Sequence, residues 1–191
     1  AAFETLERAL RAVAAETRAA SSGRVVVDML RTRHSGTFAL RGPGVRETRE
    51  QTMAYDRLDA LAARVRILGD SATTMTSEDD NPEDNAREEV GEEPPRALLF
   101  SAHVDTVRVS PGGCDNAANV AIVLETFRAF AHGLAASGAS SEDALERSKR
   151  TLSEETPLVA MFVSAEEDGF MGARGVVRDH PWFRKHVAAF L

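Results

Sequence analysis

The sequence predicts an α/β fold, a three-layer α/β/α sandwich on a mixed, largely parallel central sheet, and three observations predict it. Ala97 to Ala102, Leu158 to Ser164 and Val187 to Leu191 are strand-length runs, apolar almost throughout, as expected of strands covered on both faces. Segments of helical period lie among them, Asn116 to Ala131 and Gly172 to Arg178. Strands alternating with helices imply parallel βαβ units. The front third differs, with one helix followed by strand patterns joined through turns.

In chain order, residues 2 to 20 repeat Phe3, Leu6, Leu10, Val13 and Thr17 at three- and four-residue spacing among Ala, Glu and Arg, which predicts a helix. Ser21, Ser22 and Gly23 end it. The β-branched run Val25 to Val27, continued by Met29 and Leu30, predicts a strand, and a second strand pattern runs from Leu58 to Leu68. Gly42, Pro43 and Gly44 mark a turn between them. The helix Asn116 to Ala131 turns Val120, Val123, Leu124, Phe127 and Phe130 toward the core.

The 191 residues suit one domain spanning 1–191, interrupted by flexible insertions at 71–95 and 133–156. From Ser77 to Glu93 nine acidic residues face one arginine, with few apolar side chains to bury, so a solvated loop is expected. Ser140 to Ser148 carries the pattern of a short exposed helix. A net charge of -7 argues against a nucleic-acid surface, because neutralising phosphates takes clustered Lys and Arg. The lone Cys114 has no internal disulfide partner, and its expected role is packing. No initiator Met opens the chain and the last residues stop within a strand pattern, so the domain is expected to be cut at both ends and incomplete at the C-terminus.

In open α/β sheets ligands gather beyond the carboxyl ends of the strands. Three polar clusters fall there: His103 with Asp105, then Asp115 at the start of the next helix, then Glu166, Glu167 and Asp168. Each alone has an ordinary explanation, a turn histidine, an N-cap and a favourable helix entrance. Together, acids converging on one sheet edge would repel without a cation, so a divalent metal site is the economical explanation. Zinc accepts both imidazole nitrogen and carboxylate oxygen. The one-residue gap between His103 and Asp105 lets both side chains point the same way, so Asp105 is the candidate to orient the histidine.

The segment LLFSAHVDTVRVSPGGCDNAANVAIVLE, followed by VAMFVSAEEDGFMGARG and DHPW, resembles the peptidase clan MH zinc aminopeptidases, most closely the endoplasmic reticulum metallopeptidase and vacuolar membrane protease branch. The zinc deacylases and carboxypeptidases of the same clan compete, but the 12-residue step from His103 to Asp115 matches the aminopeptidase spacing. The resemblance implies a zinc exopeptidase fold of the phosphorylase/hydrolase type. It implies that His103 binds one zinc, Asp115 bridges two, Glu167 binds the second and Glu166 is the general base, with Asp105 completing the catalytic set. The remaining ligands are then expected beyond Leu191, leaving this piece inactive by itself.

The resemblance further implies a peptide substrate, two zinc ions per complete domain, and a domain facing the lumen of the endoplasmic reticulum or vacuole, with membrane segments outside this chain. Where many family members follow the bridging Asp with a Gly-rich stretch, this chain has Asn116, Ala117, Ala118 and Asn119. Two other readings stay open at the level of sequence: glutaminyl-cyclase-like acyl transfer on the same fold, and an inactive pseudo-peptidase serving as scaffold or receptor ectodomain. His34, His132 and His186 lack ligand spacing, and His180 before Pro181 is expected to close a helix.

Overall fold

The structure, a computed structural model, describes residues 2–40, 51–68, 97–137 and 158–190. The turn expected at Gly42 to Gly44, the insertion at 71–95, the helix pattern of Ser140 to Ser148 and Leu191 lie outside them.

Helix α1 spans Ala2–Ala20 and buries Phe3, Leu6, Leu10, Val13 and Thr17, the stripe that its periodicity predicted. Each large apolar side chain buried this way is worth about 1.5–3 kcal/mol. The helix ends where the Gly23 N–H turns back to the Arg18 carbonyl at 2.8 Å and Ser21 Oγ accepts the Val25 N–H at 2.9 Å. That second bond hands the chain directly to a strand.

Strands β1 (Val25–Leu40) and β2 (Gln51–Ile67) form a long antiparallel pair, both longer than their apolar runs predicted. Ion pairs tie the two strands together. Arg31 and Arg33 of β1 reach Asp59 of β2 at 2.8 and 2.9 Å, and Asp28 of β1 receives Arg64 and Arg66 of β2. The register shifts between His34 and Gly36, where Asp56 and Arg57 of β2 stand opposite Ser35 alone, so β2 bulges.

β3 (Ala97–His103), β4 (Leu158–Val163) and β5 (Val187–Phe190) complete a five-stranded mixed sheet in the order β1-β2-β4-β3-β5. β3 is parallel to both β4 and β5, while β2 meets β4 antiparallel. β4 lies between β2 and β3, and all six of its residues are buried, which explains its unbroken apolar sequence.

Alternate residues of these strands enter two cores. Leu61, Ala63, Ala102, Leu158, Ala160 and Phe162 join α1 and helix α2 (Ala118–Ser137) in one. Ala60, Ala62, Leu99, Val159 and Met161 meet Val176 of α3 (Met171–Asp179) and Trp182 of the short α4 (Pro181–His186) in the other.

α2 starts later and ends later than predicted. A π-type turn over Gly113–Ala117 precedes it, and residues 133–137, expected in an insertion, are its last turn. The helical stretch Gly113–Ser137, of mean hydropathy 1.2, is long and apolar enough to cross a membrane by composition. Here one face of it packs into the core, with Val123, Phe127, Ala131, Leu134 and Ala135 buried.

Candidate metal centre

Register brings the site together. His103, the last residue of β3, pairs with Val163, the last residue of β4, and the Val104 N–H extends the ladder to the Val163 carbonyl at 2.9 Å. The two parallel strands therefore release their following loops side by side. One loop carries Asp105 and the other carries Glu166 and Glu167.

Asp115 arrives by a different route. The sequence placed it at the opening of a helix, but it lies inside the π-type turn, with φ -123° and ψ 90°, and the Asp115–Asn116 peptide bond is cis. The turn has no side-chain cap. The Asp115 carboxylate instead faces His103, Oδ1 to Nε2 at 3.2 Å, with 67% of the side chain exposed.

Glu166 and Glu167 occupy a tight turn closed by the Gly169 and Phe170 N–H groups, each donating to the Glu166 carbonyl at 2.9 Å. One ligand atom from each of His103, Glu166 and Glu167 can be chosen so that all three lie within 4.8 Å of one another. Asp115 stands beside this trio through His103. Asp168 is exposed and outside it.

The two nitrogens of His103 have different surroundings. Nδ1 lies 3.1 Å from the main-chain carbonyl of Asp105, and a carbonyl can only accept, so Nδ1 carries the ring proton. The Asp105 carboxylate is farther off, Oδ1 at 3.6 Å. The main chain of Asp105, rather than the carboxylate expected from the one-residue gap, is thus the nearer support of the ring. The carboxylate is used elsewhere, its Oδ2 accepting the Glu167 N–H at 3.1 Å. Asp105 thereby joins the loop after β3 to the loop after β4, a contact between residues 62 apart in sequence.

Nε2 is left for the acidic side. It faces Asp115 Oδ1 at 3.2 Å and Glu166 Oε2 at 3.7 Å. Glu167 Oε1 and Asp105 Oδ1 are buried without a hydrogen-bond partner. Buried acceptors left without a donor are costly unless a cation lies among them. Imidazole nitrogen with carboxylate oxygens is a donor set that zinc takes, so the residues present fit a divalent metal.

Asn116 was read as part of a departure from the resembled family and not as a site residue. It is 8% exposed, and its Oδ1 has no hydrogen-bond partner. Cys114 is exposed, against the packing role expected of it.

The family model described as Peptidase family M28 matches residues 86–191. The chain is 30% identical over 95 residues to a putative endoplasmic reticulum metallopeptidase 1-A of Caenorhabditis elegans, a match covering 50% of this chain and 9% of that protein. It is also 30% identical over 86 residues to endoplasmic reticulum metallopeptidase 1 of Rattus norvegicus, covering 45% of this chain and 8% of the relative. The aligned part is thus under a tenth of the length of either relative. No solved structure matches.

Proposed function

This chain belongs to peptidase family M28, and on that footing we propose that it is the metal-binding part of a zinc-dependent exopeptidase of aminopeptidase type, acting on peptides. The observation that supports this most is the arrangement of His103, whose free Nε2 faces two carboxylates while its Nδ1 is committed to the Asp105 carbonyl. His103, Asp115 and Glu167 are the residues that would hold the metal. Bound zinc would polarise the scissile carbonyl and make water a stronger nucleophile near neutral pH.

The side chains divide the remaining work. Glu166, whose Oε2 borders the cluster 3.7 Å from His103 Nε2, is the general base. Its carboxylate removes a proton from the attacking water and returns it to the amine that leaves. Asp105 holds the geometry, because it fixes His103 from one side and the Glu167 main chain from the other.

The same reading places the complete domain, a three-layer α/β/α sandwich, on the lumenal side of an endoplasmic reticulum or vacuolar membrane. The names of the two relatives favour the first of these.

The deciding experiment compares the full-length protein with its Glu166→Gln variant, measuring both release of free amino acids from short peptides and bound zinc by elemental mass spectrometry. Loss of turnover with zinc retained is the expected outcome. Turnover that survives the substitution would remove Glu166 from the mechanism.

A further inference from the structure

On the face of the sheet covered by α3, two histidines 146 positions apart in sequence meet in the interior. His34 lies on β1, beside the register shift opposite the β2 bulge, and is 4% exposed; His180 follows the last residue of α3 and is fully buried. Their ring centroids are 6.4 Å apart. Neither belongs to the metal centre.

The contact between β1 and α3 is built around them. A Cβ added to Gly175 of α3 would sit 2.5 Å from the Cβ of His34, so only glycine lets the helix come this close. His34 Nε2 is 2.8 Å from Thr32 Oγ1, and its Nδ1 is 3.9 Å from Asp179 Oδ2. Arg178 Nη2 donates to the Ser35 carbonyl at 2.7 Å, pinning the helix to β1. His180 stacks edge-on against Trp182 at 5.7 Å.

Hydrogen bonding fixes the protonation state that His180 can adopt. The Trp182 N–H donates to His180 Nδ1 at 3.2 Å, so Nδ1 holds a lone pair and the ring is neutral with its proton on Nε2. Nε2 itself is buried without a partner. A second proton would have to go on Nδ1, where it would point at the Trp182 N–H, donor against donor. The resulting charge would lie in a site closed to water, beside His34.

The groups facing the pair are Asp179 and Arg178 from α3, Tyr55 of β2 behind Arg178, and Arg64 of β2 over the Trp182 ring. Asp179 alone favours a cation, and its carboxylate also binds Arg178.

We propose that His34 and His180 form an acid-sensitive latch that seats α3 on β1 while both rings are neutral and releases it when His180 takes a proton. Burial first, and the nearby His34 second, push His180 from 6.5 down to about 4. His34 is lowered by its own burial, with Asp179 opposing and Arg178 assisting. A histidine lowered by folding contributes stability that is complete above its unfolded value, and that stability is lost as pH falls toward the folded one. The window is therefore pH 6.5 down to about 4.

The latch bears on the metal centre through the chain itself. α3 follows directly from the turn that holds Glu166 and Glu167, with the Met171 N–H donating to the Ala165 carbonyl and the Arg174 N–H to the Phe170 carbonyl, both at 2.9 Å.

The test follows amide hydrogen exchange and the thermal midpoint of the chain between pH 7.5 and 4, beside a carbon-detected NMR titration of the His180 ring. The expected result is that His180 stays neutral well below pH 6.5, and that the amides of residues 165–179 lose protection in step with its protonation while those of α1 keep theirs. The His180→Asn variant keeps an acceptor for the Trp182 N–H but takes no proton, so its fall in midpoint between pH 6.5 and 4 should shrink. A His180 that titrates near 6.5 with α3 amides still protected overturns the latch. So does an unchanged pH dependence in a folded His180→Asn variant.

Discussion

The Asp105 carboxylate accepts the main-chain N–H of Glu167 at 3.1 Å, and this one bond joins the loop that follows β3 to the loop that follows β4. Two acidic residues are thereby neighbours at a place where their charges oppose the contact, which is favourable only if something positive balances them. Asp105 acts on both partners, since its own carbonyl holds the His103 ring.

Asp105→Ala should therefore weaken metal binding even if Asp105 never touches the ion. Loss of a residue that orients metal ligands typically lowers affinity about 10- to 100-fold. Calorimetric titration of zinc into the two proteins at pH 7 measures this. Equal affinities would show that the main chain alone holds His103 and Glu167 in place.

Gly172 of α3 is the point where the helix rests on the end of β4: a Cβ there would fall 2.0 Å from the Ser164 carbonyl oxygen. Backbone cannot yield by that much, so Gly172→Ala must shift the helix. A cost of roughly 3 kcal/mol or more is expected, at the upper end for overpacking. Urea denaturation reads it, and a cost under 1 kcal/mol would mean that α3 sits differently on the sheet.

Asp28 of β1 receives Arg64 Nε and Arg66 Nη2, each at 2.9 Å. Burial pushes its carboxyl up, but Arg66 and then Arg64 prevail and hold it below the ordinary value of 3.8. A carboxyl lowered by folding stabilises the protein above its unfolded value, and the contribution disappears as pH falls through the folded value. Asp28→Asn should then cost about 1–2 kcal/mol from pH 5 to 8, limited by the exposure of Arg66. The gap between the two proteins should narrow as pH falls below 3.8 and through the lower folded value. A gap that persists there would assign the cost to packing and not to charge.

Local patterns in the sequence account for most of the described fold. α1, the apolar strands and α3 follow from period and composition, because each buries one stripe or one whole strand. The remainder of β1 and β2 was not legible, since polar side chains such as Arg31, Arg33 and Asp56 interrupt apolar alternation there. The start of α2 was misread for a related reason: Asp115 has the look of an N-cap, and the main-chain path that sends it to His103 leaves no compositional trace. Polar residues after strand ends pointed to the acidic cluster around His103. The contact between His34 and His180 depends on how α3 crosses β1, and no local pattern encodes it.

The acids around His103 also predict how a metal should change stability. In the metal-free chain Glu166 and Glu167 share a cluster no wider than 4.8 Å with His103, and Asp115 stands beside it. Two like charges at about 5 Å repel by roughly 3 kcal/mol at an effective dielectric constant near 20, and partial exposure to water reduces this to about 1 kcal/mol. Glu167→Gln should thus raise the thermal midpoint of the metal-free protein while lowering its zinc affinity. With zinc at about 100 times its dissociation constant, the unsubstituted chain should gain about 2.7 kcal/mol, and a chelator should reverse the gain. The two effects of one substitution have opposite signs, which a merely structural glutamate would not produce. Thermal melts of both proteins, with zinc and with chelator, measure them together; a Glu167→Gln variant less stable than the unsubstituted protein in both conditions would mean that Glu167 supports the turn rather than the metal.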